Sequence, residues 1–252
     1  FTANTGQVLT LTGGNLTSNG VTLLGLTINS AGAVTLVDAT TVSENFTHTA
    51  GSLTSAGQLQ VAGNTVVTAG TVNISGGPMN RLGDADTDTA MLNGGTVNVF
   101  GDMTFNATTT QATGSTVNVR TTTTFNADYT ISSGATFDAS QNAFTLFFKS
   151  SPTPINFTSA DGSMVTITGP NPQDILIRSV TAGSRHNFSM SAGETTGMLT
   201  LQDLDVKDSN GAGSTVALSP GAGSIDGGNN VNWQFGNANV TGVVTGLGGN
   251  GR

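Results

Sequence analysis

The sequence predicts an all-β fold, a right-handed parallel β-helix (β-solenoid) with about 20 residues per coil. Residues 94–113 read GGTVNVFGDMTFNATTTQAT and residues 114–133 read GSTVNVRTTTTFNADYTISS, so TVNV and TFNA recur at the same positions. A small-residue turn ending in glycine recurs at intervals of about 18 to 24 residues, and a short alternating strand follows each turn. Crossover sterics between parallel strands favour the right-handed wind. The turns end at Gly32, Gly51, Gly70, Gly94, Gly114 and Gly134.

Alternation within each predicted strand assigns side chains to the core or to the surface. In TVNV we expect Val97 and Val99 to point inward and Asn98 to point outward. Identical positions on successive coils then form ladders, because parallel strands pair in register. Phe105 and Phe125 fall one coil apart and are expected to stack in the core. One coil cannot bury its own apolar face but a column of coils can, so the repeat predicts a continuous core.

Composition excludes several classes of function. Only 9% of the 252 residues are charged and the net charge is −8, so the chain lacks the clustered Lys and Arg that bind nucleic-acid phosphates or an anionic membrane. The absence of cysteine excludes a disulfide framework and a thiolate metal site. The longest apolar run, near 144–148, is far too short to span a bilayer. We therefore expect neither nucleic-acid binding nor membrane insertion.

The period divides the chain into three parts. Residues 1–145 are predicted to form regular solenoid coils, with a loop inserted near 75–93, where one coil is longer than its neighbours. Residues 146–235 are predicted to form a less regular continuation, in which four of the six prolines interrupt strands. The Gly-rich tail 236–252 is uncharged until Arg252 and is interpreted as a linker, a frayed end or a strand exchanged with another subunit.

The Gly-, Thr- and Asn-rich coils resemble those of secreted β-solenoid proteins of bacterial surfaces, such as filamentous-haemagglutinin-like adhesins and autotransporter passengers. The segment Leu199–Phe235, LTLQDLDVKDSNGAGSTVALSPGAGSIDGGNNVNWQF, is similar to the closing coils of many large bacterial surface proteins. The resemblance covers most of the chain and rests on composition and architecture. It implies an extracellular or cell-surface location, and it carries over no catalytic residue.

An acidic segment within the inserted loop is the candidate metal site. The stretch GDADTDTAMLNGG places Asp84, Asp86 and Asp88 at alternate positions, and such carboxylates can converge on Ca²⁺. An EF-hand loop needs Gly and Glu where this chain has Thr89 and Gly95, so that motif is absent. The alternatives are a looser calcium-stabilised loop and a solvated acidic loop without a metal. No other cofactor is indicated.

The sequence predicts that the protein is not an enzyme. Glycan-cleaving β-helices need two or three acids, or acids with a basic residue, gathered in one groove. The regular coils offer no such set, and the alternative is a site in the irregular half built from Asp174, Arg178, Arg185 or His186. The lone Trp233 near the end is more typical of a cap on the core than of a sugar-stacking groove.

The two ends of the predicted rod favour self-assembly. The stretches FTANTGQVLTLTG and ANVTGVVTGLGG are uncharged and able to form strands, whereas natural proteins usually block exposed strand edges with charge or a cap. We therefore predict an extracellular structural protein that forms a homo-oligomer or surface filament through its solenoid ends and terminal strands. The alternative is an adhesin or a glycan-binding or glycan-processing β-helix, which meets a glycan or host surface through a groove formed by the 75–93 insertion and the irregular half.

Overall fold

The computed structural model describes residues 6–77, 79–85 and 87–236, and the regular structure in these ranges is entirely β-strand. No helix long and apolar enough to cross a membrane is present among them. In chain order the strands are β1 (Val8–Leu11), β2 (Gly14–Leu16), β3 (Thr22–Leu23), β4 (Gly25–Leu36), β5 (Thr40–Val42), β6 (Phe46–Ser55), β7 (Leu59–Val61), β8 (Thr65–Val67), β9 (Thr71–Ile74), β10 (Asn80–Leu82), β11 (Thr89–Leu92), β12 (Gly95–Val99), β13 (Met103–Phe105), β14 (Thr108–Gln111), β15 (Ser115–Val119), β16 (Thr123–Phe125), β17 (Tyr129–Ile131), β18 (Thr136–Ser140), β19 (Phe144–Phe148), β20 (Asn156–Ser159), β21 (Met164–Thr168), β22 (Ile175–Ser179), β23 (His186–Met190), β24 (Met198–Gln202), β25 (Leu204–Val206), β26 (Ser209–Asn210) and β27 (Ile225–Asp226).

The strands form three faces that follow one another in each coil, and every strand pairs in parallel with strands of the neighbouring coils. Face A contains β1, β8, β11, β14, β17, β20, β23 and β26, and face B contains β2, β9, β12, β15, β18, β21 and β24. The long strands β4 and β6 turn the corner between faces A and B, which makes these two faces one 17-stranded sheet. Face C is a separate 10-stranded sheet of β3, β5, β7, β10, β13, β16, β19, β22, β25 and β27. The predicted parallel β-helix is therefore confirmed.

Coil length follows the predicted period in the middle of the chain and grows beyond it. Asn98 and Asn118, paired across β12 and β15, are 20 residues apart. Further along, paired positions on face A lie 28 and then 31 residues apart. The added residues lie in turns such as 149–155 and 180–185, because the strands themselves must keep their register.

One part of the chain differs from its sequence interpretation, and another lies almost entirely outside the described residues. The segment 75–93, interpreted as one inserted loop, contains β10 and β11, so its extra residues are divided between the turns 75–79 and 83–88. The three-residue strand β10 pairs with both β7 and β13 and so keeps face C continuous. The tail 236–252 lies outside the described residues apart from Gly236.

The core is a column of stacked side chains, as the repeat predicts. Val97 and Val99 are 3% and 0% exposed. The Phe105 and Phe125 rings stack with centroids 5.3 Å apart and planes 4° apart, and Phe148 continues this stack 5.1 Å beyond Phe125. A second aromatic stack runs beside it and meets the first edge to face. The consequence is a core in which each coil packs chiefly on the coil before and the coil after it.

Outward-facing polar side chains also bond from coil to coil. The Asn118 Nδ2 donates to Asn98 Oδ1 at 2.8 Å, and the Asn98 Nδ2 donates to Asn73 Oδ1 at 2.8 Å. Asp138 takes the next place in this ladder, where Arg120 forms a 2.7 Å ion pair with it and also donates to its backbone oxygen at 2.8 Å. The asparagine amides and the Arg120 guanidinium thereby find hydrogen-bond partners on neighbouring coils of the same chain.

Replacing Phe125 with alanine tests the column. The side chain is fully buried and contacts aromatic rings of the coils on both sides, so Phe125→Ala should lower the free energy of unfolding by about 3–5 kcal/mol. The measurement is chemical denaturation followed by circular dichroism. Phe100→Ala is the matched control, because Phe100 is 52% exposed, and its effect should be small. An equal decrease in the free energy of unfolding for the two variants would contradict a core organised around the aromatic stack.

Candidate functional site

A polar groove follows the corner where face C turns into face A. It consists of two adjoining depressions of about 360 and 440 Å³. Both depressions are lined by Asn126 and Lys149, which therefore lie at the centre of the groove. The turn 83–88 borders it on one side and the turn 149–155 on the other. The remaining lining residues are Asp84, Ala85, Thr87, Asn106, Thr108, Ala127, Asp128, Ser151, Thr153, Pro154 and Ile155.

The coil register places Asn106, Asn126 and Lys149 in one column along the groove. The Asn126 N–H donates to the Phe105 oxygen, and the Lys149 N–H donates to the Phe125 oxygen, each at 2.8 Å. The Asn126 Nδ2 also donates to Asn106 Oδ1 at 2.9 Å, so the amides form a short ladder. Lysine takes the next place in the column. The ion pairs of the described residues involve Arg120 and Arg178, and the Lys149 ammonium is in none of them.

Two carboxylates of the groove differ in how far they are already bonded. Asp128 accepts the Asn156 N–H at 2.8 Å and its Nδ2 at 3.1 Å, so it ties the next coil to this corner. Within the described part of the chain, no hydrogen bond to the Asp84 carboxylate occurs, and Asp84 is therefore available to a ligand. The groove thus combines an ammonium, amide groups and a carboxylate, which together can donate to and accept from a polar ligand.

The predicted acidic site is placed on the rim of this groove. Asp88 Oδ2 accepts the backbone N–H groups of Asp84 and Ala85 at 2.9 and 3.0 Å, so this carboxylate closes the turn. Asp86 lies outside the described residues. Among the residues that are described, no group of three or more acidic, histidine or cysteine side chains could hold a metal ion. Calcium binding by the three aspartates stays a prediction.

The residues suggested for catalysis in the irregular half each have a separate structural contact. Arg178 pairs with Asp205 one coil away, in the same manner as Arg120 with Asp138. The Arg185 Nε donates to the Asn229 oxygen at 2.8 Å. Asp174 accepts the Asn171 N–H and Nδ2 at 2.9 and 2.8 Å and so closes its own turn.

His186, the fourth of these residues, is fully buried in the core. Its ring stacks on Phe148 with centroids 4.5 Å apart, and neither ring nitrogen has a hydrogen-bond partner. Burial lowers the pKa of His186 to about 3, although the nearby Asp208 carboxylate opposes this shift. Its imidazole is therefore part of the apolar column.

The protonation of His186 gives a pH dependence that can be measured. The unfolded chain binds this proton near pH 6.5 and the folded chain only near pH 3, so the free energy of unfolding should fall as the pH drops through that range. His186→Phe should reduce this fall, because the remaining titrating groups are the same in both proteins. The measurement is denaturant unfolding at several pH values between 7 and 3. If the free energy of unfolding depended on pH identically in the parent protein and in His186→Phe, a buried neutral histidine would be contradicted.

The ends of the solenoid are the second candidate site, because there the core is incompletely covered. In the described part of the chain, the apolar side chains that pack on the core but are only partly buried lie in the first coil or near the last: Leu9, Val21, Leu199, Val216, Trp233 and Phe235. Trp233 packs on Phe188 with centroids 5.3 Å apart, which agrees with the predicted role as a cap. Val8 in β1 is 67% exposed, and β4 is the only described strand that pairs with β1.

Scans against protein-family models, curated proteins and solved structures each found no match to this chain.

Proposed function

We propose that this protein is an extracellular structural β-solenoid that assembles end to end into a surface filament or fibre. One observation carries the proposal: the core is closed along the sides of the rod, and its partly buried apolar side chains are at the two ends. Burying such surface is favourable in proportion to its area, so end-to-end contact would complete the core. The extracellular location rests on the resemblance to bacterial surface solenoids.

The charge distribution supports the same proposal. The first charged residue of the chain is Asp38, so the first coil carries no charge, and Asp226 is the only charged residue between 209 and 236. Natural proteins commonly protect strand edges with charged side chains, and these ends lack that protection. Along the sides, Arg120 and Arg178 are engaged in contacts between coils. These two arginines therefore stabilise the stack of coils.

Sedimentation velocity and cryo-electron microscopy of the full chain test this proposal. The average mass should rise with protein concentration, and images should show rods that lengthen by whole solenoids. Because the first coil has no charged residue and the segment 209–236 has only Asp226, assembly should persist at high salt, where interactions between charged surfaces are screened. A single monomeric species at every concentration, unchanged after seeding with concentrated material, would contradict the proposal.

The corner groove favours a second candidate function, glycan binding by an adhesin. The supporting observation is the Lys149 ammonium, which has no ion-pair partner among the described residues and lies in a groove with Asp84 and Asn126. Sugar hydroxyls both donate and accept hydrogen bonds, so this mixed set of groups suits them. The described lining contains no aromatic ring, and recognition would therefore depend on polar contacts.

Glycan arrays with matched lysine variants test this second function. Lys149→Ala should weaken binding by tenfold or more, because a hydrogen bond to a charged group contributes about 1.5–3 kcal/mol. Lys207→Ala is the control, since Lys207 is the only other lysine and is exposed away from the groove. Equal effects of the two variants, or no binding across a broad panel, would contradict glycan binding at this groove.

A further inference from the structure

The C-terminal end of the solenoid has an open cup beside the last strand of face B. The cup consists of two depressions of about 650 and 180 Å³ that share Val216 and Ala217. Trp233 lines the larger depression, and Leu199 and Leu201 line the smaller one. No charged side chain lines either of them in the part of the chain that is described. We name this feature the terminal cup.

The terminal cup contains hydrogen-bonding groups that lack partners. The Trp233 indole Nε1 is buried and has no hydrogen-bond partner. Strand β24 is paired with β21 on one side, and on its outer edge the described backbone bond is the one from the Gly221 N–H to the Leu201 oxygen at 2.9 Å. A strand edge with free N–H and C=O groups accepts another strand. The cup is thus an uncharged recess, in which Trp233 and aliphatic side chains lie among polar groups, next to an open strand edge.

The first coil likewise has a strand edge without a described partner. Strands β1 and β2 pair with β4 on one side, and no described strand pairs with their other edge. Val8 is 67% exposed, and Leu9 packs on the core only in part. Because every coil repeats the faces in the same order, a first coil placed on the last would set β1 beside Val231 on face A and β3 beside β27 on face C. The first coil carries no charged side chain, so Asp226 of β27 meets no like charge there.

We infer that the terminal cup receives the first coil of a second copy of this chain, so that Val8 and Leu9 enter the recess and Trp233 becomes buried at the junction. This inference rests on the proposed function and identifies its interface. The contact is head to tail, which leaves a free cup and a free first coil after each addition and so allows growth into a filament. A rotationally symmetric pair would leave no such ends.

Trp233 provides a direct readout because it is the only tryptophan of the chain. Its fluorescence emission should shift to shorter wavelength as protein concentration rises, in step with the mass measured by sedimentation. Ala217→Arg places a charge in the cup at an exposed position, and Val8→Asp places one on the first coil. Each variant alone should remain monomeric. Phe100→Asp is the control, because Phe100 is 52% exposed between the central strands β12 and β13, and this variant should assemble like the parent protein.

Mixing the two blocked variants tests the pairing of the surfaces. Val8→Asp retains an intact cup and Ala217→Arg retains an intact first coil, so an equimolar mixture should form dimers and nothing longer. Circular dichroism of each variant checks that the β-structure is retained. Dimers in the mixture, with about half of the full emission shift, would support the inference, because one of the two tryptophans is buried at the single junction.

The contradicting outcomes separate this inference from the proposed function. Filaments that persist in Ala217→Arg with unchanged Trp233 emission would overturn the terminal cup as the interface and leave the structural function standing. Monomers at every concentration for the parent protein would overturn both. A Trp233 shift that occurs only on addition of an unrelated extended peptide would show that the cup takes a peptide strand, and the inference of a second copy would fail.

Discussion

Parallel pairing in register between successive coils is the constraint on which the rest of the structure depends. It brings identical positions to within one strand spacing, about 4.8 Å, and therefore decides which side chains can stack. Glycine is required where the corner between faces A and B brings backbones too close for a side chain: Gly70 has a φ of +83°, and a Cβ there would meet the Gly51 backbone oxygen. The aromatic stacks and the asparagine ladders are consequences of the same register.

This register also explains why the side chains that are available for binding lie at the corners and ends of the solenoid. Along the sides, the polar groups of Asn98, Asn118 and Arg120 bond to neighbouring coils and are occupied. The corner groove arises where a turn lengthens and Lys149 follows Asn126 in its column. At the two ends of the described coils no further described coil pairs, and apolar side chains such as Trp233 are partly exposed there.

The sequence predicts those features that depend on the exact repeat. The two copies of TVNV and TFNA place Val97 in the core, stack Phe105 on Phe125 and align Asn98 with Asn118. The corner groove was not predictable in detail, because Lys149 follows Asn126 by 23 residues, whereas Asn126 follows Asn106 by 20. Strand β10 has three residues, too few for alternation to distinguish it from the surrounding loop. The terminal cup depends on residues 211–233, which contain only the two-residue strand β27 and isolated bridges and carry no repeat.

Amide hydrogen exchange at low and high protein concentration tests most directly the claim that this is a stack of coils with incomplete ends. Exchange reports local opening, which is easiest where a strand has a partner on one side only. We expect slow, concentration-independent exchange in the central strands β12 to β21. We expect faster exchange in β1, β2 and β24 that slows as the protein concentration rises. Uniform protection from end to end, unchanged by concentration, would contradict a stack of coils with incomplete ends.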